Sequence, residues 1–218
     1  MKKRLIIALL LLISLSTITL KPGIIISQFN INKIIIENNF LLSEKDIKKL
    51  LSPIYEKNLL FLRNKEIKKM IIQNNFIDSF NIKKIYPNTL KIHIFEKKPI
   101  AILHYKKKKF FISDKLDLVD FSELPDYSNL PYVFGNKESF KKLYYNLNKI
   151  NFPLSLIKKY TFYKTDRWDL ETINKKIIKL PSKDYLKNLE NYLNLKNKKE
   201  FKNYNIFDYR IKNQLILK

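Results

Sequence analysis

Cysteine is absent from this sequence, and glycine occurs twice in 218 residues. Without cysteine there are no disulfides, no thiolate zinc sites and no lipid-modified cysteine near the amino end. Gly23 and Gly135 cannot build a dinucleotide-binding or nucleotide-phosphate loop, which needs several glycines at fixed short spacing. Histidine is as scarce as glycine, at His93 and His104 only. Each falls on a strand-like segment, and the carboxylate nearest in sequence, Glu96, lies an odd number of positions from His93, on the opposite strand face. A zinc or iron site needs three or four converging ligands, so none is expected.

Acidic residues are also few: 20 against 43 Lys and Arg, a net charge of +23. Such a balance raises nucleic acid or anionic lipid as a partner. Nucleic-acid sites lean on arginine, whereas here the cations are mostly lysine and are spread along the chain. The excess therefore reads as compositional, alongside abundant Ile and Asn. Lys106 to Lys109 reads as a solvated hairpin tip.

What is present begins with an apolar run. Met1 to Arg4 is basic, and Leu5 to Leu20 carries no charge. Sixteen residues at about 1.5 Å each give roughly 24 Å, just short of a bilayer core, and flanking lysines can snorkel. We expect residues 1–4 in the cytoplasm, a transmembrane anchor over residues 5–26, and the rest translocated. A cleaved signal peptide is the alternative, with a site near Ser14 to Ser16. Translocation also separates the chain from chromosomal DNA.

Beyond the anchor, 45 % apolar residues indicate a folded chain, and its length suits two small domains. Phe29 to Glu37 predicts a strand. Ser43 to Asp46 opens a helix with a capping pattern, and Asn64 is placed to cap a second. Ile82 to Ile102 (IKKIYPNTLKIHIFEKKPIAI) predicts a hairpin with Pro87 and Asn88 at the centre of its turn and Pro99 as its stop. Leu90, Ile92 and Ile94 form the inner face. Strand, helix, helix, strand, strand is a compact α+β unit.

After Ala101 the pattern changes to short strands: Ile102 to Tyr105, Phe110 to Ser113, Leu118 to Phe121, Tyr160 to Lys164, Trp168 to Thr172 and Lys176 to Lys179. Two helices interrupt them, one over Asn136 to Ile150 and one capped by Ser182. Ile206 to Lys218 is strand-like again.

Catalytic patterns are missing. Asp166 and Asp169 read as solvated or lysine-paired, and Trp168 on an alternating strand reads as core. Two bare S-x-x-K matches, from Ser139 and Ser155, lack their companion motifs. No enzymatic activity and no cofactor are expected. What remains is strands. Gln214 to Lys218 could complete the core sheet or leave an open edge for a partner strand, and the residues alone leave both open.

The order of anchor and strand-helix-helix-strand-strand unit resembles the FtsQ/DivIB cell-division proteins. The likeness rests on Tyr86-Pro87-Asn88-Thr89-Leu90 and on Glu96-Lys97-Lys98-Pro99-Ile100-Ala101. Further support comes from Asn58 to Leu62, Glu66 to Lys84, Leu130 to Gly135, Arg167 to Leu170, Ile178 to Pro181 and Phe207 to Arg210. It implies an α+β chain: a transmembrane helix, a POTRA domain over residues 27–98 with order β-α-α-β-β, and a mostly antiparallel β-domain with two flanking helices over residues 99–218. Positions where the family often has glycine carry Asn38, Asp117 and Asn174, which tolerate left-handed backbone best after glycine.

The resemblance also implies a function: a non-enzymatic, single-pass inner-membrane organiser of the division septum with its bulk in the periplasm. Its partners would be divisome proteins, above all the FtsB subunit of an FtsB–FtsL coiled coil. The docking edge would comprise Tyr209, Arg210, Ile211, Gln214, Leu215, Ile216, Leu217 and Lys218, and Ile216→Pro would remove a ladder donor from it. Another POTRA-bearing transport or secretion accessory is the alternative.

Overall fold

The computed structural model describes residues 2–17 and 27–218, with side chains described from Arg4 to Ser14 and from Ser27 onward. The chain falls into two compact units, Met1–Glu96 and Lys97–Lys218.

The first unit begins with helix α1, Lys2–Thr17, which beyond Arg4 is apolar on every side from Leu5 to Ile13. Leu5, Leu9, Leu10 and Leu12 are all at least 60 % exposed, so nothing in the described chain covers them. Among the described residues no helix is long and apolar enough to cross a membrane. The expected anchor continues into residues 18–26, which lie outside the described residues.

The folded part of unit 1 is a sheet of order β1-β3-β2, built from Lys33–Glu37, Ile77–Ile85 and Thr89–Glu96. β1 runs parallel to β3 and β2 antiparallel to it. Helices α2, Glu44–Leu50, and α3, Asn64–Ile71, form the crossover that a parallel pair requires. Ile34, Ile47, Leu51, Ile67, Ile71, Leu90, Ile92 and Ile94 meet in one core.

Ser43 caps α2 as its sequence suggests, accepting from the Asp46 amide at 3.1 Å. Asn64 does not cap α3: it is the first helical residue, and Arg63 before it makes no side-chain cap. The β2–β3 turn also differs from expectation. Ile85 pairs with Thr89, so Tyr86, Pro87 and Asn88 form a three-residue loop, and the Tyr86–Pro87 bond is cis.

Glu96 explains its place in the signature segment. Its carboxylate accepts the Phe40, Leu41 and Leu42 amides at 3.1, 2.7 and 2.9 Å, pinning the loop between β1 and α2 to the end of β3.

Unit 2 is built on a nine-stranded sheet of order β12-β11-β10-β9-β8-β7-β4-β5-β6. Its strands are β4 Pro99–Tyr105, β5 Lys108–Ser113, β6 Leu118–Asp120, β7 Tyr132–Phe134, β8 Ile157–Tyr163, β9 Arg167–Thr172, β10 Ile177–Lys179, β11 Ile206–Asp208 and β12 Ile216–Leu217. Five neighbouring pairs are antiparallel and three parallel. Helices α4, Lys137–Lys149, and α5, Tyr185–Leu195, are the crossovers of two parallel pairs, β7–β8 and β10–β11.

Pro99 opens β4 instead of merely closing β3, a strand start being one of the few places a sheet accepts proline. α5 starts after Asp184, in left-handed backbone, and not at Ser182. Trp168 is core. It lies against Phe162 and Phe140, with ring centroids at 4.9 and 6.5 Å, and is 4 % exposed. Gly135 makes that packing possible, since a Cβ there would sit 2.8 Å from the Cβ of Phe162.

Scarce glycine forces other side chains into left-handed turns. Asn38 takes φ 62°, as expected, but Leu116 and Lys175 take it in place of their neighbours Asp117 and Asn174. Between β4 and β5 the turn is Lys106-Lys107, at φ 46° and 65°, with Tyr105 paired to Lys108. Such two-residue turns favour Asn-Gly because both positions need positive φ. The double change Lys106→Asn, Lys107→Gly is expected to stabilise unit 2 by about 1 kcal/mol, read as a higher urea midpoint with unchanged slope. An unchanged or lower midpoint would contradict the strain argument.

Candidate partner-binding edge

The strand-like run from Ile206 to Lys218 is a hairpin. β11 ends at Asp208, and β12 returns antiparallel with Phe207 opposite Leu217 and Asp208 opposite Ile216. Arg210 shapes the bend. Its amide and guanidinium both donate to the Asp208 carboxylate, the shortest contact being Nη2 to Oδ2 at 2.6 Å. Asn213, at φ 61°, turns the chain back, and the Gln214 amide donates to the Ile211 carbonyl at 3.2 Å.

Tyr209 is not part of an exposed edge. Its side chain is buried, its hydroxyl donates to Asn191 Oδ1 at 2.9 Å and its amide donates to the Lys179 carbonyl. It anchors the hairpin to α5 and β10. Arg210, Ile211 and Gln214 are exposed in the bend. Leu215 and Leu217 pack partly onto the core, while Ile216 and Lys218 face the other way and are exposed. The last strand therefore both completes the core and ends the sheet. Among the described residues no strand lies beyond β12.

Hydrogen bonding fixes which groups that edge presents. Lys218 donates to the Ile206 carbonyl at 3.1 Å, and Ile206 donates back at 2.9 Å. Antiparallel ladders alternate, so Ile216 also turns its amide toward β11 and Leu217 turns its amide and carbonyl outward. Ile216→Pro would thus cut the chain's own hairpin, and Leu217 is the residue to change. Sequence reasoning missed Asp208, whose i, i+2 spacing to Arg210 was the available signal.

The sheet face turned away from the main core carries a row of alternating charge. Asp169 lies opposite Lys179 and Lys179 opposite Asp208, with Arg167 on Asp169 at 2.9 Å. Hydrogen bonds from Arg210 hold the Asp208 carboxyl below the usual carboxylate range, against the opposing effect of burial. Burial pushes Asp169 the other way, outweighing Arg167. A carboxylate with a lowered folded pKa contributes stability above its unfolded value of about 4 and loses it as pH falls through the folded value. Asp169 has the opposite sign, so acid relieves it. Unit 2 is therefore expected to lose the Asp208 contribution below about pH 4. Asp208→Asn should narrow the gap between urea midpoints at neutral pH and in acid; an unaltered gap would show that the pair is not responsible.

Other sites are chemically quiet. His93 Nδ1 lies 3.7 Å from Glu37, the carboxylate opposite it in register, and not near Glu96. His104 stacks on Phe134 at 4.8 Å, and desolvation lowers its pKa. Among the described residues no three His, Asp or Glu side chains come together as metal ligands.

Residues 29–97 match the family described as POTRA domain, FtsQ-type. The folded part of unit 1, with its β-α-α-β-β order, is therefore a POTRA domain. The chain is 26 % identical over 208 residues to the cell division protein FtsQ of Rickettsia typhi, spanning 94 % of this chain and 76 % of that one. It is 28 % identical over 192 residues to the FtsQ of Rickettsia prowazekii, spanning 85 % and 71 %. The extracytoplasmic domain of the division protein DivIB from Geobacillus stearothermophilus aligns at 13 % identity and a TM-score of 0.34, covering 47 % of this chain and 92 % of that domain. Outside the POTRA segment the likeness to these FtsQ cell-division proteins extends over most of the chain.

Proposed function

We propose that the chain is a non-enzymatic organiser of the division septum, held in the inner membrane by one span. In this reading residues 1–4 are cytoplasmic, residues 5–26 are the anchor, and the POTRA domain of residues 27–98 and the β-domain of residues 99–218 lie in the periplasm. The uncovered apolar circumference of α1 supports the anchor, since leucines left bare by the protein need a lipid cover. The basic Lys2, Lys3 and Arg4 support the orientation.

The mechanism is strand addition at β12. Leu217 offers its amide and carbonyl to a strand from the FtsB subunit of an FtsB–FtsL coiled coil, and alternate side chains beside Leu215 and Leu217 set its register. That no strand among the described residues pairs with the outer side of β12 is the observation that carries this reading. Arg210, Ile211, Gln214, Ile216 and Lys218 border it, and Tyr209 supports it from within. No cofactor takes part.

A fluorescent fusion on the amino end tests the cellular role. It should form a mid-cell band before constriction. An even envelope signal would overturn the division reading.

A further inference from the structure

We propose that the amino-terminal end of the POTRA unit is a membrane-contact surface that rests on the anionic lipid leaflet from which the chain emerges. This inference rests on the proposed anchor. Leu59 and Leu62 are buried, but Leu60 and Phe61 between them turn outward, Phe61 being 74 % exposed. The same end of the unit exposes Tyr86 at 55 % and Ile85 at 38 %.

Three contacts bring these residues together. The Leu59 amide donates to the Phe29 carbonyl at 2.8 Å, the Phe29 and Tyr86 rings meet edge to face at 6.2 Å, and Lys84 Nζ donates to the Leu62 carbonyl at 2.7 Å. Phe29 also marks where the chain enters the unit. The chain between Thr17 of α1 and Ser27 spans at most roughly 35 Å even fully extended, which sets an upper limit on how far Phe29 can lie from the end of the apolar helix.

Charge fits the same surface. Lys57 and Arg63 flank residues 58–62 in the chain, Lys84 precedes Ile85, and Lys33 pairs with Thr89 at the end of the Tyr86 loop, against Glu56 and Glu66. Lys57 and Arg63 share the single carboxylate of Glu66, so positive charge remains. Aromatic side chains amid lysines suit the headgroup region, where rings bury their apolar body and cations meet anionic lipid. A soluble unit would have no reason to collect Phe61, Tyr86, Ile85 and Leu60 on one tip.

Phe40 provides an internal control. It is 83 % exposed, but it sits by Glu96 at the far end of β3, whose eight residues span roughly 23 Å. The absence of cysteine makes single-site labelling direct. The full chain carrying Phe61→Cys or Phe40→Cys, each labelled with an environment-sensitive dye, is reconstituted in phosphatidylcholine–phosphatidylglycerol vesicles with or without spin-labelled lipid.

Flotation with the vesicles reads the anchor; quenching reads the patch. The dye at position 61 should fall to roughly half its emission or less with spin-labelled lipid, while the dye at position 40 stays unchanged. Flotation with equal emission at both positions would overturn the contact surface and leave the anchor standing. A dye at position 61 that is shielded from water but not quenched by lipid would also overturn it, since a protein then covers the patch. Failure to float would overturn the anchor and this proposal with it.

Discussion

Leu217→Pro is expected to weaken binding of an FtsB-type strand by about a hundredfold or more, close to 3 kcal/mol. Three effects add. The outward amide is lost as a donor to the incoming strand. The proline ring occupies the space where that strand would lie. The leucine side chain, partly packed on the core, is lost as well. The change is tolerable for the fold because proline is accepted at a sheet edge where the amide faces solvent. Leu217→Ala separates the contributions, because it keeps the amide and should cost about tenfold or less. Ile216→Pro should instead loosen the hairpin itself, because that amide faces Asp208 across the ladder. Binding of the soluble units can be followed by calorimetry. Undiminished affinity in Leu217→Pro would place the docking surface elsewhere, with the β2 and β6 edges next in line.

The second large effect is on stability. Trp168→Ala should destabilise unit 2 by about 3–5 kcal/mol, the usual range for emptying a buried aromatic site. Phe140, Phe162, Tyr160 and Leu170 are fixed by β8, β9 and α4, so the space cannot collapse without moving the sheet. That loss is a large share of a typical domain's stability of about 5–15 kcal/mol. Unit 1 has a separate core of isoleucines and leucines and should keep its own transition. Circular dichroism during urea unfolding reads both, since this substitution removes the chain's one tryptophan. Loss of less than about 1 kcal/mol would mean that Trp168 is not a core residue of unit 2.

Much of this architecture was legible. The alternation of Leu90, Ile92 and Ile94, the Ser43 cap and the helical spacing of Phe140, Leu143 and Leu147 act locally, so the chain announces them. β7 was not legible as a strand. Its three residues are too few to show a period, and its place between β4 and β8 is decided by pairing partners far away in sequence. The break at Tyr209 was hidden for a related reason. Ile206 to Lys218 alternates well enough to look continuous, but the Arg210 clamp on Asp208 and the burial of Tyr209 against Asn191 bend it. Left-handed positions shifted from Asp117 to Leu116 and from Asn174 to Lys175 because register in the flanking strands, not side-chain preference, sets where the turn falls. The edge itself was visible only as a possibility, since nothing in a terminal strand says whether another follows it in space.

Amide hydrogen exchange at β12 tests strand addition most directly. In the chain alone, the Leu217 amide should exchange fast and the Lys218 amide, bonded to Ile206, more slowly. With saturating FtsB-type partner, the account predicts strong new protection at Leu217 and little change at Lys218. A bound complex in which the Leu217 amide exchanges as fast as before would contradict strand addition at this edge.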